Sequence, residues 1–191
     1  MIAIRELARE ELGRAQEIDV SESGRVIYRY AHGEMHSVAE EWHRPRWHAT
    51  EWEDTIKKWT AQLKWDVMLG AFAAERLVGI ASLRYRLTDT TAQLVSLYIS
   101  RHARRQGVAT RLTREIIRLA KERGAHELYV SATPSESAVG FYLRQGFRPA
   151  AHVNKELYAL EPEDIHMVRP VSGPSPVTRR RLAGETVRRP E

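Results

Sequence analysis

The chain has 191 residues, 42% of them hydrophobic and 29% charged, a composition that predicts one soluble globular domain over residues 1–171. It contains no cysteine, which excludes disulfides, thiolate-bound zinc, iron–sulfur clusters and a cysteine nucleophile. The formal net charge is +5, and residues 172–191, with five Arg against two Glu, supply +3 of it.

That tail also carries Pro174, Pro176 and Pro190 and few large aliphatics, so it is expected to be disordered or loosely docked. A basic tail can bind nucleic acid, but no recognition motif accompanies it, and a nucleic-acid partner is not expected. No stretch approaches the roughly 20 consecutive apolar residues of a membrane span. The first dozen residues carry charges every few positions, unlike the apolar centre of a leader. A cytoplasmic protein that does not meet the membrane is the expectation.

Residues 2–4 read as a short first strand, and Leu12, Ala15 and Ile18 predict a helix over 8–18. Residues 21–50, rich in His, Trp and Tyr and broken by Pro45, give no clear period. Trp52, Ile56, Trp59 and Leu63 form an i, i+4, i+7, i+11 stripe, predicting a helix over 51–63 with Thr50 and Glu53 as its capping pair. Apolar runs at 65–74, 77–87 and 93–100, separated by Glu75-Arg76 and Thr88-Asp89-Thr90, predict an antiparallel meander. A helix over 108–123 follows, with Val108, Leu112, Ile116 and Ala120 on one face and Gly124 at its left-handed cap. Then come a strand at 126–132, a helix at 135–145 and strands at 147–151 and 164–169. Strand–helix–strand–helix after a meander predicts an α/β fold with a mixed sheet.

The chemically informative segment runs Leu97-Tyr98-Ile99-Ser100-Arg101-His102-Ala103-Arg104-Arg105-Gln106-Gly107-Val108-Ala109-Thr110. A strand enters a basic loop, then a glycine, then a helix. Gly107 and the small Ala109 permit close backbone approach, and the first helical amides lack intrahelical partners at the positive dipole end. Such a terminus binds phosphate, and Arg104 and Arg105 would add charge-assisted hydrogen bonds. The segment has neither GxxxxGK[ST] nor GxGxxG, so it is neither a P-loop nor a dinucleotide fingerprint.

Arg104-Arg105-Gln106-Gly107-Val108-Ala109 resembles the (Gln/Arg)-x-x-Gly-x-(Gly/Ala) signature of the GNAT superfamily of N-acetyltransferases. Ala138-Val139-Gly140-Phe141-Tyr142-Leu143-Arg144-Gln145-Gly146-Phe147 resembles that family's second motif. The resemblance covers about residues 65–170. It implies a meander followed by β-α-β-α-β with a splayed central strand pair, and acetyl-coenzyme A as co-substrate. It also implies that the backbone around Leu97, Tyr98 and Ile99 pairs with the pantetheine arm and that Arg104 to Thr110 hold the pyrophosphate. Ser135 and Ser137 fall where the family often has an Asn facing that arm. Tyr142 matches the family tyrosine that protonates the departing thiolate. Gln93 occupies the place of the glutamate that serves one branch as base, and an amide cannot take a proton. Glu75, Asp89, Glu34, His32 and His36 remain candidates for that role.

In the resembling family the segments before the sheet shape the acceptor pocket. Five Trp fall within 24 residues, Trp42 to Trp65. Trp52 and Trp59 lie on the helical stripe and are expected in the core. Trp42 and Trp47 straddle Pro45 and are the candidates to hold an amine by stacking or cation–π contact, with Arg84 a further acceptor contact. His32 and His36 have the spacing of a helical metal pair, but Gly33 between them and the lack of a third ligand predict no metal. The expected activity is acetyl transfer to a small-molecule amine, with a homodimer as the candidate assembly. A protein lysine or N-terminal acceptor, or a non-catalytic acyl-coenzyme A module, stays open.

Overall fold

The structure, a computed structural model, describes residues 2–172, so the expectation for the Arg-rich tail lies outside the described residues. The strands are β1 (Ile2–Glu6), β2 (Glu22–Ala31), β3 (Glu34–Arg44), β4 (Val67–Ala73), β5 (Arg76–Arg84), β6 (Thr91–Ile99), β7 (Glu127–Ala132), β8 (Arg148–Pro149) and β9 (Ile165–Pro170). The helices are α1 (Ala49–Lys58), α2 (Val108–Glu122), α3 (Glu136–Arg144) and α4 (Lys155–Leu160). Seven strands form one mixed sheet in the order β1-β4-β5-β6-β7-β9-β8, while β2 and β3 stand apart as a hairpin. Within the large sheet β6 and β7 are parallel and the other pairs antiparallel. The meander and the β-α-β-α-β order predicted from sequence are both present.

Both faces of the sheet are covered, which explains why β4 reads as an unbroken apolar run. Its alternate residues Val67, Leu69 and Ala71 enter one core with Leu112, Ile116 and Val139 from α2 and α3. Met68 and Phe72 enter a second core with Trp52, Trp59 and Leu157. The helix α2 ends as expected: Gly124 is left-handed at φ 81°, and the Ala125 amide donates to the Ala120 carbonyl at 3.0 Å.

Four expectations are corrected. The helix predicted over 8–18 is present as a 3-10 helix over Arg9–Glu17, tighter than the spacing of Leu12, Ala15 and Ile18 suggested. The capping contact of α1 is the His48 amide to the Glu51 carboxylate at 2.9 Å, two residues earlier than Thr50 and Glu53. The predicted helix over 51–63 leaves α-geometry at Trp59, where the Lys64 amide reaches the Trp59 carbonyl, 3.0 Å away, in a wider turn. The strand expected at 147–151 shrinks to Arg148–Pro149.

Leu112 is fully buried between α2 and the sheet. Leu112→Ala should lower unfolding free energy by about 2–5 kcal/mol, read from the shift of the urea midpoint at constant slope.

Candidate active site

The parallel pair sets the site. β6 and β7 are joined only at Thr91↔Glu127, Ala92↔Leu128 and Gln93↔Tyr129, and from there they diverge. The β5 register slips between Ser82↔Ser96 and Leu83↔Leu94, so Val95 is an extra residue that bends β6 where it leaves its neighbour. The Ser82 and Ser96 hydroxyls meet at 2.6 Å beside the bulge. Beyond it, the Ser100 amide donates to the Val78 carbonyl of the β5 side at 2.8 Å. Antiparallel pairing alternates along a strand, so Leu97 and Ile99 aim their backbone groups the other way, into the gap toward β7.

The gap is a cavity of about 230 Å³. Leu97, Tyr98 and Ile99 of β6 line it, with Val130 and Ser131 of β7 and Phe141 and Tyr142 of α3. Arg104, Ala109, Ser135 and Ser137 line it too. Thus eight of the sequence-predicted cofactor residues (Leu97, Tyr98, Ile99, Arg104, Ala109, Ser135, Ser137 and Tyr142) converge on one cavity.

At its outer end the chain makes a 3-10 turn over Arg101–Ala103 and then takes left-handed values at Arg105 (φ 62°) and Gly107 (φ 78°). The first bond of α2 runs from the Arg111 amide to the Gly107 carbonyl at 3.0 Å, so the amides of Val108, Ala109 and Thr110 have no intrahelical acceptor. Arg105, Gln106 and Gly107 are exposed. The Gln106 side chain turns back to the His102 carbonyl at 2.8 Å.

Arg104 is placed differently from the sequence expectation. Its Nε donates to the Ile99 carbonyl and its Nη2 to the Val20 carbonyl, both at 3.1 Å, and Nη1 lies 3.6 Å from Glu22. Burial lowers its pKa, and Glu22 works against that shift. The guanidinium therefore ties the loop to the chain's own carbonyls, and the side chain left exposed for an anion is that of Arg105.

Tyr142 is 7% exposed, with Phe141 and Phe147 edge-on at 5.3 Å. Burial, reinforced by Tyr98 and Asp164, raises its pKa well above that of an ordinary phenol. Tyr98 is pushed up to about 12, chiefly by burial. The Tyr98 ring sits among Trp47, Trp52 and Trp59, with centroids 5.5–5.6 Å away. Ser135 caps α3, its Oγ accepting from the Ala138 amide at 3.3 Å.

The acceptor candidates separate. Trp47 packs on Trp52 at 5.0 Å, in the aromatic cluster beneath Tyr98 rather than on the cavity. Arg84 faces Glu156 at 3.3 Å and lines a different groove, with Asp66 and Arg123. Trp42 lies on the hairpin and lines a second cavity next to the first. Gln93 is 1% exposed at the closed end of the gap, its Oε1 without a hydrogen-bond partner. Glu75 and Asp89 sit in turns, and His32, Glu34 and His36 at the hairpin tip; none lines either cavity. His32 and Gly33 are both left-handed, the backbone of a two-residue hairpin turn, so the His pair is not helical. Among the described residues no cluster of three or more metal-ligating side chains occurs.

Sequence reasoning missed Asp164, which lines both cavities. Burial first and the Glu161 carboxylate second raise its pKa to about 7, against the pull of Lys58. Lys58 lies 3.6 Å from Glu161. The only signal in the sequence was the acidic run Glu161-Pro162-Glu163-Asp164 before the closing strand, which is an ordinary turn composition.

Three outcomes follow from this geometry. Arg104→Ala should cost about 1–3 kcal/mol by leaving two carbonyls unsatisfied. Arg105→Ala should stay within about 0.5 kcal/mol in stability and weaken coenzyme A binding in calorimetry. The folded Asp164 carboxyl keeps its proton up to about 7, whereas the unfolded chain loses it near about 4. The folded state thus binds more protons in that window, and stability falls as pH rises through it. Asp164→Asn should flatten that fall, measured as Tm against pH.

The family model described as the acetyltransferase (GNAT) family matches residues 32–147. No curated protein matches the sequence. Among solved structures, a nourseothricin acetyltransferase superposes with a TM-score of 0.68 at 18% identity, covering 89% of this chain and 98% of its own. A Bacillus anthracis protein described as a streptothricin acetyltransferase, solved with acetyl coenzyme A, gives 0.62 at 16%, covering 88% and 97%. The ribosomal-protein-S18-alanine N-acetyltransferase of Escherichia coli gives 0.56 at 17%, covering 98% and 99%. At these identities the superpositions show a shared fold, and the family match extends over more than half of the chain, from the hairpin turn to just beyond α3. The chain therefore belongs to the GNAT family of acetyltransferases.

Proposed function

We infer that the protein transfers an acetyl group from acetyl-coenzyme A to the primary amine of a small molecule, with Tyr142 as general acid. The observation that carries the reading is a buried phenol lining a gap whose open wall is unpaired strand backbone. The amides of Leu97 and Ile99 and the carbonyl of Leu97 suit an extended amide-bearing arm, which they would take like an added strand. The Val108–Thr110 amides and Arg105 suit its diphosphate. The nourseothricin and streptothricin enzymes share this fold and have small-molecule names.

The reaction forms a bond from the amine nitrogen to the acetyl carbon and breaks the bond to sulfur. Tyr142 gives its proton to the departing sulfur and recovers one from the nitrogen. Its raised pKa keeps it protonated for that role, and an amide of β6 facing the gap can stabilise the developing oxyanion. Holding both reactants in line supplies much of the acceleration.

A protein acceptor is disfavoured by the hairpin. The Tyr28 amide donates to the Pro134 carbonyl at 2.7 Å, and Ile27 bridges Ser135, so β2 closes the side along which a peptide would extend. A cytoplasmic setting belongs to the same reading.

Tyr142→Phe should lower kcat by about 10²–10⁴-fold in a thiol-release assay and leave acetyl-coenzyme A affinity within about threefold. Unchanged turnover in the variant would take the acid's role from Tyr142, and no turnover with any amine in either protein would return the chain to a binding module.

A further inference from the structure

The second cavity, about 720 Å³, lies between the hairpin and the segment that leads into β9. Thr133, Ser135 and Asp164 line it and the cofactor gap alike, so the two spaces meet at Asp164. Its walls have one chemical character. Tyr28, Tyr30, Trp42 and Tyr158 supply aromatic faces. Tyr30, Val153 and Tyr158 are the exposed large apolar side chains of the described residues, and all of them line this cavity. Gathered apolar exposure of this kind marks a binding surface rather than scatter.

The charges are one-sided. Glu40, Glu163 and Asp164 stand against Arg29, whose guanidinium is 3.4 Å from Glu40. Burial lowers the pKa of His166 and so disfavours a positive charge there, against the Glu161 carbonyl 3.2 Å from its Nε2, which works to raise it. Trp42 is tightly held within the hairpin. Gly24 lies directly across from Trp42, and a Cβ there would come within 2.5 Å of the indole Nε1.

We propose that this cavity is the acceptor site, that it takes an amine with an aromatic or apolar body and no carboxylate beside the reacting nitrogen, and that Asp164 removes the ammonium proton before attack. This deepens the acetyltransferase reading above and rests on it. Aromatic faces and carboxylates together hold an ammonium, whereas an α-carboxylate would enter a field of its own sign. The proton balance closes. An ammonium loses one proton to the Asp164 carboxylate, which passes it to solvent, and the second leaves nitrogen as Tyr142 protonates sulfur and is restored.

Several charged groups face Asp164 and set when it ionises. Glu161, paired with Lys58, and Glu163 lie on its own segment. Glu40 with Arg29 on the hairpin and His166 on β9 look in from the second cavity. Tyr98, Tyr142 and the Glu22–Arg44 pair, 2.8 Å apart, look in from the first.

The test uses pairs that differ only in a carboxylate beside the sole amine: tyramine against tyrosine, and 3-methylbutylamine against leucine. In thiol release with saturating acetyl-coenzyme A, each amine should exceed its parent amino acid in kcat/KM by at least about tenfold. Protein fluorescence should show saturable binding of tyramine and none of tyrosine at the same concentration. For wild type, kcat/KM with tyramine should rise with pH and level off with an apparent pKa near 7, apart from the slope set by the amine itself. Asp164→Asn should lose about 10²-fold or more and that inflection, while calorimetry shows acetyl-coenzyme A bound as in wild type. Gly24→Ala should raise KM for tyramine and leave acetyl-coenzyme A affinity alone. Equal or better use of the amino acids, absence of tyramine binding, or an Asp164→Asn enzyme with wild-type rate and profile would overturn the proposal. Loss of acetyl-coenzyme A binding in the wild-type protein would instead overturn the acetyltransferase reading, which keeps the two failures apart.

Discussion

A mid-sheet opening is the constraint on which the molecule is built. Parallel neighbours would ordinarily stay paired along their length, and each buried N–H or C=O left without a partner costs free energy. Here β6 and β7 part after Gln93 and Tyr129 because each is held more firmly on its other side. The β5–β6 ladder runs from Arg84↔Gln93 to Gly79↔Ile99, and the β7–β9 ladder takes every residue of β7. The sheet is thus two antiparallel halves joined by a short hinge of pairing. The bulge at Val95 turns β6 away, and Arg104 satisfies the Ile99 carbonyl that the parting exposes. What stays unsatisfied is the set of groups that an extended ligand can pair with.

Burial acts on both proton-transfer groups of the site in the same direction and with opposite chemical result. Withdrawing a phenol from water takes it further from ionisation, so Tyr142 stays a donor across the neutral range. Withdrawing a carboxyl brings its pKa up to about 7, where Asp164 can gain or lose a proton with little driving force in either direction. On the roles proposed above, one desolvated junction would supply both the acid and the base. The cost is a carboxylate whose charge the fold does not neutralise, since the nearest lysine is already matched with Glu161.

Those parts of the fold that repeat a local rule were legible in the amino-acid order. Val108, Leu112, Ile116 and Ala120 announce α2, Gly124 its end, and the apolar runs the meander, because each pattern is made by neighbours in the chain. The hairpin was not legible. No residue of β2 or β3 is fully buried, so no apolar face alternates along them, and their partner is each other rather than the sheet. The 3-10 segment and the six-residue α4 fail for a related reason: each is too short or too tight to show a helical period. In the site, Tyr142 and Gly107 were found through motifs. Arg104 was assigned to an anion because sequence does not show that the Val20 and Ile99 carbonyls come within its reach. Asp164 was missed because its environment is assembled from the hairpin, α3 and the end of the sheet, none of which is near it in sequence.

The hairpin's shallow burial also says how the protein divides its tasks. The gap proposed for the cofactor lies in the central sheet beside α2, where the side chains that hold the geometry are fully buried. The wall proposed for the acceptor belongs to an element that touches the rest through the Tyr28–Pro134 bond, the Ile27–Ser135 bridge and a few side chains. Elements with little buried area tolerate replacement at small cost to global stability. Such a division lets acceptor preference change by substitution along β2 and β3 while the gap, the phosphate end and Tyr142 keep their geometry. The exception is the Gly24–Trp42 crossing, where one added methyl group must displace an indole, so that pair couples the hairpin's own backbone to the shape of the cavity.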